Sequence, residues 1–305
     1  FSTTQKGLAF FQKYFATPYP YQKYDQILCP EFSFGAMENV GAVTFNEKYL
    51  SRGKKSEEEK NDLADTILHE MAHMWFGNLV TMKWWNDLWL NESFATYMST
   101  LAVDQATDFK KAWRDFYSMK GWAYHEDQLS TTHPIESGAK NTGDALANID
   151  GITYAKGASV LKQLHFLLGE EKFQKGLQLY FQRNAWKNAE LKDFMAALSE
   201  ASQRDLKDWQ KVWLQSAGVN TLTPKFTCEG DRIQKLEIEQ TAPDNLNFQR
   251  PHKLQIALLD KKVVKNKKTT TESLVLGKVL TAEINGKSTE ITEAKGLVCP
   301  QARSE

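Results

Sequence analysis

The chain has 305 residues, 41% of them apolar, with 38 acidic against 38 basic side chains, which leaves room for two globular domains. The balanced charge argues against nucleic acid or an anionic membrane as the main partner. The lack of an 18-residue apolar run excludes a membrane-spanning helix.

The N-terminal residues Phe1-Ser2-Thr3-Thr4-Gln5 have neither the basic start nor the apolar centre of a leader, and no initiating Met. The stretch is therefore expected to belong to a longer protein, with a cytoplasmic setting favoured. Residues 4–16 read as an amphipathic helix facing inward through Leu8, Phe11 and Phe15. Thr17-Pro18-Tyr19-Pro20-Tyr21 stops it, and a strand is expected from Lys23 to Cys29.

Next comes Phe34-Gly35-Ala36-Met37-Glu38-Asn39-Val40-Gly41, leading into a strand at Ala42–Phe45. Gly35 and Gly41 bracket a segment where backbone can lie close to another chain. Such an edge can bind an extended peptide by strand addition, with Glu38 meeting a positive group at the peptide's end. The bland alternative is a bulged edge strand with a solvated glutamate. Phe32, Phe34 and Met37 are candidates for lining a first side-chain pocket that prefers apolar or long residues.

Residues 51–62 are rich in lysine and glutamate and read as a solvated loop and a first helical turn, with Glu57, Glu58 and Glu59 suited to a helix start. The helix that follows carries His69-Glu70-Met71-Ala72-His73. Two histidines four apart stand on one helix face and can share a zinc ion. Glu70 points about 100° away from His69 around the axis, which suits a base acting on water better than a ligand. Leu63, Ile67 and Met71 form an apolar stripe beside them, so unpaired imidazoles there would be hard to satisfy. Gly77-Asn78 ends the helix. A second apolar and aromatic run, Trp84 to Met98, holds one carboxylate, Glu92, which is costly to bury unless paired. Glu92 is the expected third ligand.

From Thr100 to about Gly218 the pattern is helical, with Trp113, Phe116 and Tyr117 at spacings of three and four. Thr132–Ile135 and residues 138–151 read as loops. A helix opens at Ile152-Thr153-Tyr154-Ala155-Lys156-Gly157 and continues through Val160, Leu161, Leu164, Leu167 and Leu168; others follow near 170–183, 190–202 and 205–216. On spacing alone Tyr154 is a buried core aromatic.

At Ala217–Asn220 the character changes to short alternating runs: Lys225–Cys228, Ile233–Gln240, His252–Leu259, Ser273–Val279 and Ala282–Ile284. Turns at Glu229-Gly230-Asp231 and Asn285-Gly286 punctuate them. The expected fold class is α+β: a catalytic domain over 1–219, mostly helical after an α/β start, then a small antiparallel β-sandwich over 220–305. His252 reads as a surface residue and Lys261–Lys268 as a solvated hairpin tip. Of three cysteines, Cys29 reads as a free thiol. Cys228 and Cys299 would bridge only in an oxidising compartment, and spacing alone favours leaving them unpaired.

Gly35-Ala36-Met37-Glu38-Asn39, His69-Glu70-Met71-Ala72-His73 and, after eighteen intervening residues, Glu92 together resemble the zinc aminopeptidases of the aminopeptidase N type, a group that includes the puromycin-sensitive and leukotriene-hydrolase branches. The flanks Met74–Asn78 and Trp89–Ala95 and the segment Ile152–Gly157 share the likeness. The resemblance implies a thermolysin-like catalytic domain of the gluzincin kind. It implies one Zn²⁺ on His69, His73 and Glu92, with Glu70 as general base and Tyr154 as transition-state stabiliser. Glu38 would hold a substrate's free α-amine, while Gly35, Ala36, Met37 and Asn39 line the peptide's path. Partners would be peptides with a free N-terminus, with no nucleic acid. Family members add a β-rich domain in front and a large helical domain behind, so the stretch alone is expected to be weakly active or inactive. An epoxide hydrolase of the leukotriene-hydrolase type and an inactive scaffold are the alternatives. A structural zinc module conflicts with a ligand set of two histidines and one glutamate, because closed sites favour four ligands rich in cysteine.

Overall fold

A computed structural model describes residues 1–51, 53–246, 248–266 and 269–300. The chain divides into two compact units, Phe1–Ala217 and Gly218–Glu305. Helices with small sheets make it an α+β protein.

The first unit begins with helix α1, Ser2–Phe15, which buries Phe11, Tyr14 and Phe15. It ends at Ala16 in a left-handed cap, where the N–H groups of Ala16 and Thr17 satisfy the carbonyls of Lys13 and Gln12. Strands β1 (Asp25–Cys29), β2 (Ala36–Met37) and β3 (Ala42–Asn46) form a sheet in the order β1-β3-β2. In it β1 runs parallel to β3 and β2 antiparallel.

Helix α2, Glu57–Ala72, carries Glu57, Glu58 and Glu59 in its first turn, where the sequence placed the helix start. Ser56 is its N-cap: Glu59 N–H donates to Ser56 Oγ at 3.1 Å, and Ser56 N–H donates to Glu59 Oε2 at 2.7 Å. This reciprocal box satisfies two donors that a helix start leaves open. Helix α3, Leu88–Ala106, buries nearly every side chain from Leu88 to Val103, as expected of a helix apolar all round. It lies against α2. Around it pack α1, α4 (Ala112–Glu126) and α6 (Gly157–Leu168), with α7 (Glu170–Asn184) against α1 and α6. Phe15, Trp75, Phe76, Phe94 and Phe181 meet at the centre, all fully or almost fully buried. Each contributes roughly 1.5–3 kcal/mol by leaving water.

Local details depart from the periodicity. Residues expected as loop over 138–151 contain a short helix, α5, Thr142–Ala147, capped by Asn141. The segment Ile152–Lys156 is a π-helical turn rather than an α start, running directly into α6. Strands β4 (Val80–Met82) and β5 (Lys187–Ala189) pair in parallel, an interaction that such short runs do not announce. Tyr117 is 74% exposed, so its spacing from Trp113 does not place it in the core. Helices α8 (Leu191–Ser202) and α9 (Lys207–Trp213) complete the unit.

The second unit is antiparallel throughout its named strands. Strands β6 (Thr221–Glu229), β7 (Arg232–Thr241) and β10 (Ser288–Glu290) form one sheet, and β8 (His252–Asn266) with β9 (Thr269–Ile284) a long hairpin. The two runs expected at 273–279 and 282–284 are one strand, β9. Ile233, Leu236 and Ile238 from one sheet share a core with Leu280 and Ile284 from the other. Cys228 and Cys299 are disulfide-bonded with Cα atoms 6.1 Å apart, in place of the separate thiols that spacing favoured. Cys29 is free. His252 is half-buried, its Nε2 3.2 Å from Gln240 Oε1, rather than a surface residue. In the lysine cluster, Lys261 pairs with Glu272 at 2.8 Å, while Lys267 and Lys268 lie outside the described residues.

Candidate metal centre and active site

Helix α2 delivers His69 one turn before its end and His73 at its C-cap. Their Nε2 atoms stand 3.1 Å apart. Helix α3 brings Glu92 Oε2 to 3.4 Å from His69 Nε2 and 3.5 Å from His73 Nε2. Three ligand atoms at zinc bond lengths from one tetrahedral centre would lie about 3.3 Å from one another, so the observed triangle fits such an ion.

The opposite nitrogens support the fit. His73 Nδ1 faces two acceptors, Asn91 Oδ1 at 2.6 Å and the Phe76 carbonyl at 3.2 Å. Nδ1 therefore donates, which leaves Nε2 as the nitrogen available to an ion once its own proton is displaced. His69 Nδ1 has Thr96 Oγ1 at 3.5 Å. Burial favours a neutral Glu92, but His73 and His69 outweigh it and hold the carboxyl well below the usual carboxylate range.

Glu70 is 5% exposed, and its Oε2 is a buried atom with no hydrogen-bond partner among the described residues. Burial pushes its pKa up against the opposing effect of His69 and His73. An acceptor this costly to leave unpaired is suited to receiving a proton from a molecule that enters the site.

Tyr154 sits on the π-helical turn with its ring parallel to that of His69, centroids 6.2 Å apart. Burial first, then the carboxylates of Glu92, Glu38 and Glu70, push its pKa up, so the phenol keeps its proton. The turn is braced from below. Asp150 Oδ1 accepts the N–H groups of Ile152 at 2.9 Å and Thr153 at 3.1 Å, and its Oδ2 lies 3.0 Å from His133 Nε2. Lys156, on the same turn, reaches Asp127 at 2.8 Å in the interior. π-Helical turns recur at functional sites, and this one presents a side chain that an α-helical register would aim elsewhere.

Glu38 lies just after β2, half-buried. Asn91 Nδ2 donates to Glu38 Oε1 at 3.3 Å, and Asn78 Nδ2 donates to the Glu38 carbonyl at 2.9 Å. Ligand atoms of Glu38, Glu70 and His73 lie within 4.8 Å of one another. Gly35 precedes β2, and Ala36 and Met37 form this end strand of its sheet. Asn39 turns instead toward its own hairpin, donating to Thr44 Oγ1 at 3.2 Å. Phe34 is 63% exposed.

Asn91, Ser93 and Asp150 are site residues that sequence reasoning passed over. Only Asp150 carries a local signal, an acidic side chain two positions before a helical run.

The chain matches the sequence model of the peptidase family M1 domain over residues 1–214. It is 45% identical to Aminopeptidase N of Streptomyces lividans over 98% of this chain and 35% of that protein. Identity to Tricorn protease-interacting factor F2 of Thermoplasma volcanium is 40%, over 85% of this chain and 33% of that protein. Identity to Leucyl aminopeptidase of Saccharolobus solfataricus is 40%, over 70% and 28%. The chain thus spans about a third of the length of these curated relatives.

Proposed function

The chain belongs to peptidase family M1, and from that premise we propose that it carries the active site of a zinc-dependent aminopeptidase. One ion per chain would be held by His69, His73 and Glu92. The observation that carries this reading is the triangle of three ligand atoms, 3.1–3.5 Å on each side as a tetrahedral ion requires, beside a carboxylate oxygen of Glu70 that has no hydrogen-bond partner among the described residues.

Zinc, when bound, supplies Lewis-acid polarisation of the scissile carbonyl and acidification of the attacking water. Glu70 takes the water's proton and passes it to the departing amine. The Tyr154 phenol donates to the oxygen that gains negative charge. Glu38 pairs with the substrate's α-ammonium, a charge-assisted contact that a blocked N-terminus cannot make. The free end strand position of β2 supports peptide binding by strand addition along Gly35, Ala36 and Met37. Together these fix cleavage after the first residue. The names of the relatives support a peptidase over the epoxide-hydrolase alternative.

The two compact units support a thermolysin-like catalytic domain over 1–219 and a β-sandwich over 220–305. The partners in this reading are peptides with a free N-terminus and the flanking domains of the longer protein. None of the described helices is long and apolar enough to cross a membrane. The Cys228–Cys299 disulfide supports an oxidising compartment in place of the cytoplasmic setting expected from the sequence.

The test is metal analysis of the full-length protein that contains this chain, with hydrolysis of free and N-acetylated aminoacyl substrates. One zinc per chain and a strong preference for the free amine are expected. Equal cleavage of both substrates would remove the amine-anchor role of Glu38.

A further inference from the structure

We propose that Asn91 is a positioning residue whose amide couples the imidazole of His73 to the carboxylate of Glu38 and so sets the spacing between the metal centre and the amine anchor. This rests on the reading of Glu38 given above.

The geometry is specific to a primary amide. Oδ1 accepts from His73 Nδ1 at 2.6 Å, and Nδ2 donates to Glu38 Oε1 at 3.3 Å. No other side chain of that length offers an acceptor and a donor on one rigid fork. Asn91 is 8% exposed, so solvent does not compete for either bond. It also precedes Glu92 on α3, which ties the fork to the third ligand.

The fork is held from behind by a turn built for it. Gly77 has φ +113°, and a Cβ there would lie 2.2 Å from Asn91 Oδ1. Any side chain at 77 would displace the amide. The next residue, Asn78, grips the main chain of Glu38 while Asn91 grips its carboxylate. The Gly77-Asn78 pair lies four residues beyond the His73 C-cap of α2, so it is not where the helix stops. It fixes both ends of the residue that receives the substrate's ammonium.

A substrate spans the metal-bound carbonyl and the amine anchor at once. The distance between them decides how many residues fit, and an ångström of drift costs orders of magnitude in rate. Coupling His73 to Glu38 through one amide makes that distance insensitive to independent movement of α2 and the β2–β3 turn.

The experiment uses the full-length protein with Asn91→Asp and Asn91→Leu. Zinc affinity is measured by chelator competition, Tm with zinc bound, and kcat and KM on free-amine and N-acetylated aminoacyl anilides. Aspartate keeps the acceptor for His73 but replaces the donor with a charge facing Glu38 and, more distantly, Glu92 Oε1, which lies 3.5 Å from Nδ2. Its zinc affinity should stay within about threefold of wild type or tighten, while KM for free-amine substrates rises about 10–100-fold. Leucine removes both bonds, so zinc affinity should also fall about 10–100-fold, the usual range for losing such a partner. A parallel loss of zinc, Tm and activity in both variants would reduce Asn91 to an ordinary core residue and overturn the proposal. So would an Asp variant with wild-type KM. A wild type that shows no preference for the free amine overturns the Glu38 reading and this coupling with it; a preference that Asn91→Asp retains overturns the coupling alone.

Discussion

The hydroxyl of Ser93 donates to the backbone carbonyl of Thr153 at 2.5 Å, joining the residue after Glu92 to the residue before Tyr154. The contact is possible because Gly157 has no side chain. A Cβ there would lie 1.8 Å from Ser93 Oγ and 2.7 Å from Ser93 Cβ.

Gly157→Ala should therefore push the π-helical turn away from α3. Overpacking of this kind costs about 1–3 kcal/mol, and the shift moves Tyr154 relative to Glu92. The expected outcome is a lower Tm together with a fall in kcat that exceeds any change in zinc content. Thermal unfolding, metal analysis and anilide kinetics on the same preparation check it.

In the proposed mechanism Glu70→Gln should keep zinc and lose turnover, because the amide preserves shape and removes the proposed base. A positioned general base contributes typically 10²–10⁴-fold, so kcat should fall by about that factor. Undiminished hydrolysis at full metal occupancy would refute the assignment.

On the proposed role of Tyr154 as oxyanion donor, Tyr154→Phe removes one donor while leaving the ring parallel to His69. About 10²–10³ in kcat should go, with KM little changed. A variant with wild-type kcat would return Tyr154 to the role of a core aromatic.

That bland role was all the sequence offered for Tyr154 without the family resemblance. The pair His69 and His73, and Glu70 between them, were legible because four residues on a helix map to one face with no tertiary knowledge. Glu92 was legible as a carboxylate too apolar in its surroundings to stand alone. Asn91, Ser93 and Asp150 were not. Asn91 and Ser93 find partners 18 to 60 positions away, and an isolated polar residue leaves no periodic trace. The β4–β5 pairing escaped for the same reason, since three-residue strands carry too little alternation to read.

His133 has an acceptor on each ring nitrogen, the Pro134 carbonyl at 2.7 Å from Nδ1 and Asp150 Oδ2 at 3.0 Å from Nε2. Both nitrogens must donate, so the ring is charged in this geometry. Burial works to lower its pKa, but the bonds to Asp150 and Pro134 outweigh it and raise the value. A raised histidine stabilises the fold fully below its unfolded pKa of about 6.5, and that stability is lost as pH rises through the folded value. Burial would raise Asp150, yet His133 and the two amides depress it; its contribution is present above about pH 3.9 and lost as pH falls through the depressed value. Asp150→Ala should flatten this dependence in Tm against pH and cost about 1 kcal/mol at pH 6, as loss of a helix cap does. An unchanged pH profile would count against the bracing of Tyr154's turn.

In the metal-free protein, burial tends to lower the pKa of His73, but Glu38 and Glu92 overcome it and push the value up to about 10. Zinc uptake must then displace a proton. Apparent zinc affinity should rise about tenfold per pH unit below that value, and acid should strip the metal. Chelator competition from pH 6 to 9 measures the slope; a flat profile would contradict the charged state of His73.

The disulfide in the second unit has a consequence for how the protein is made. Cys299 leaves the ribosome 71 residues after Cys228, by which time all of the β6–β10 segment has emerged. Correct oxidation must wait for nearly the whole unit, on a timescale of seconds to hours set by oxidant and isomerase, so yield depends on the host's thiol-exchange machinery.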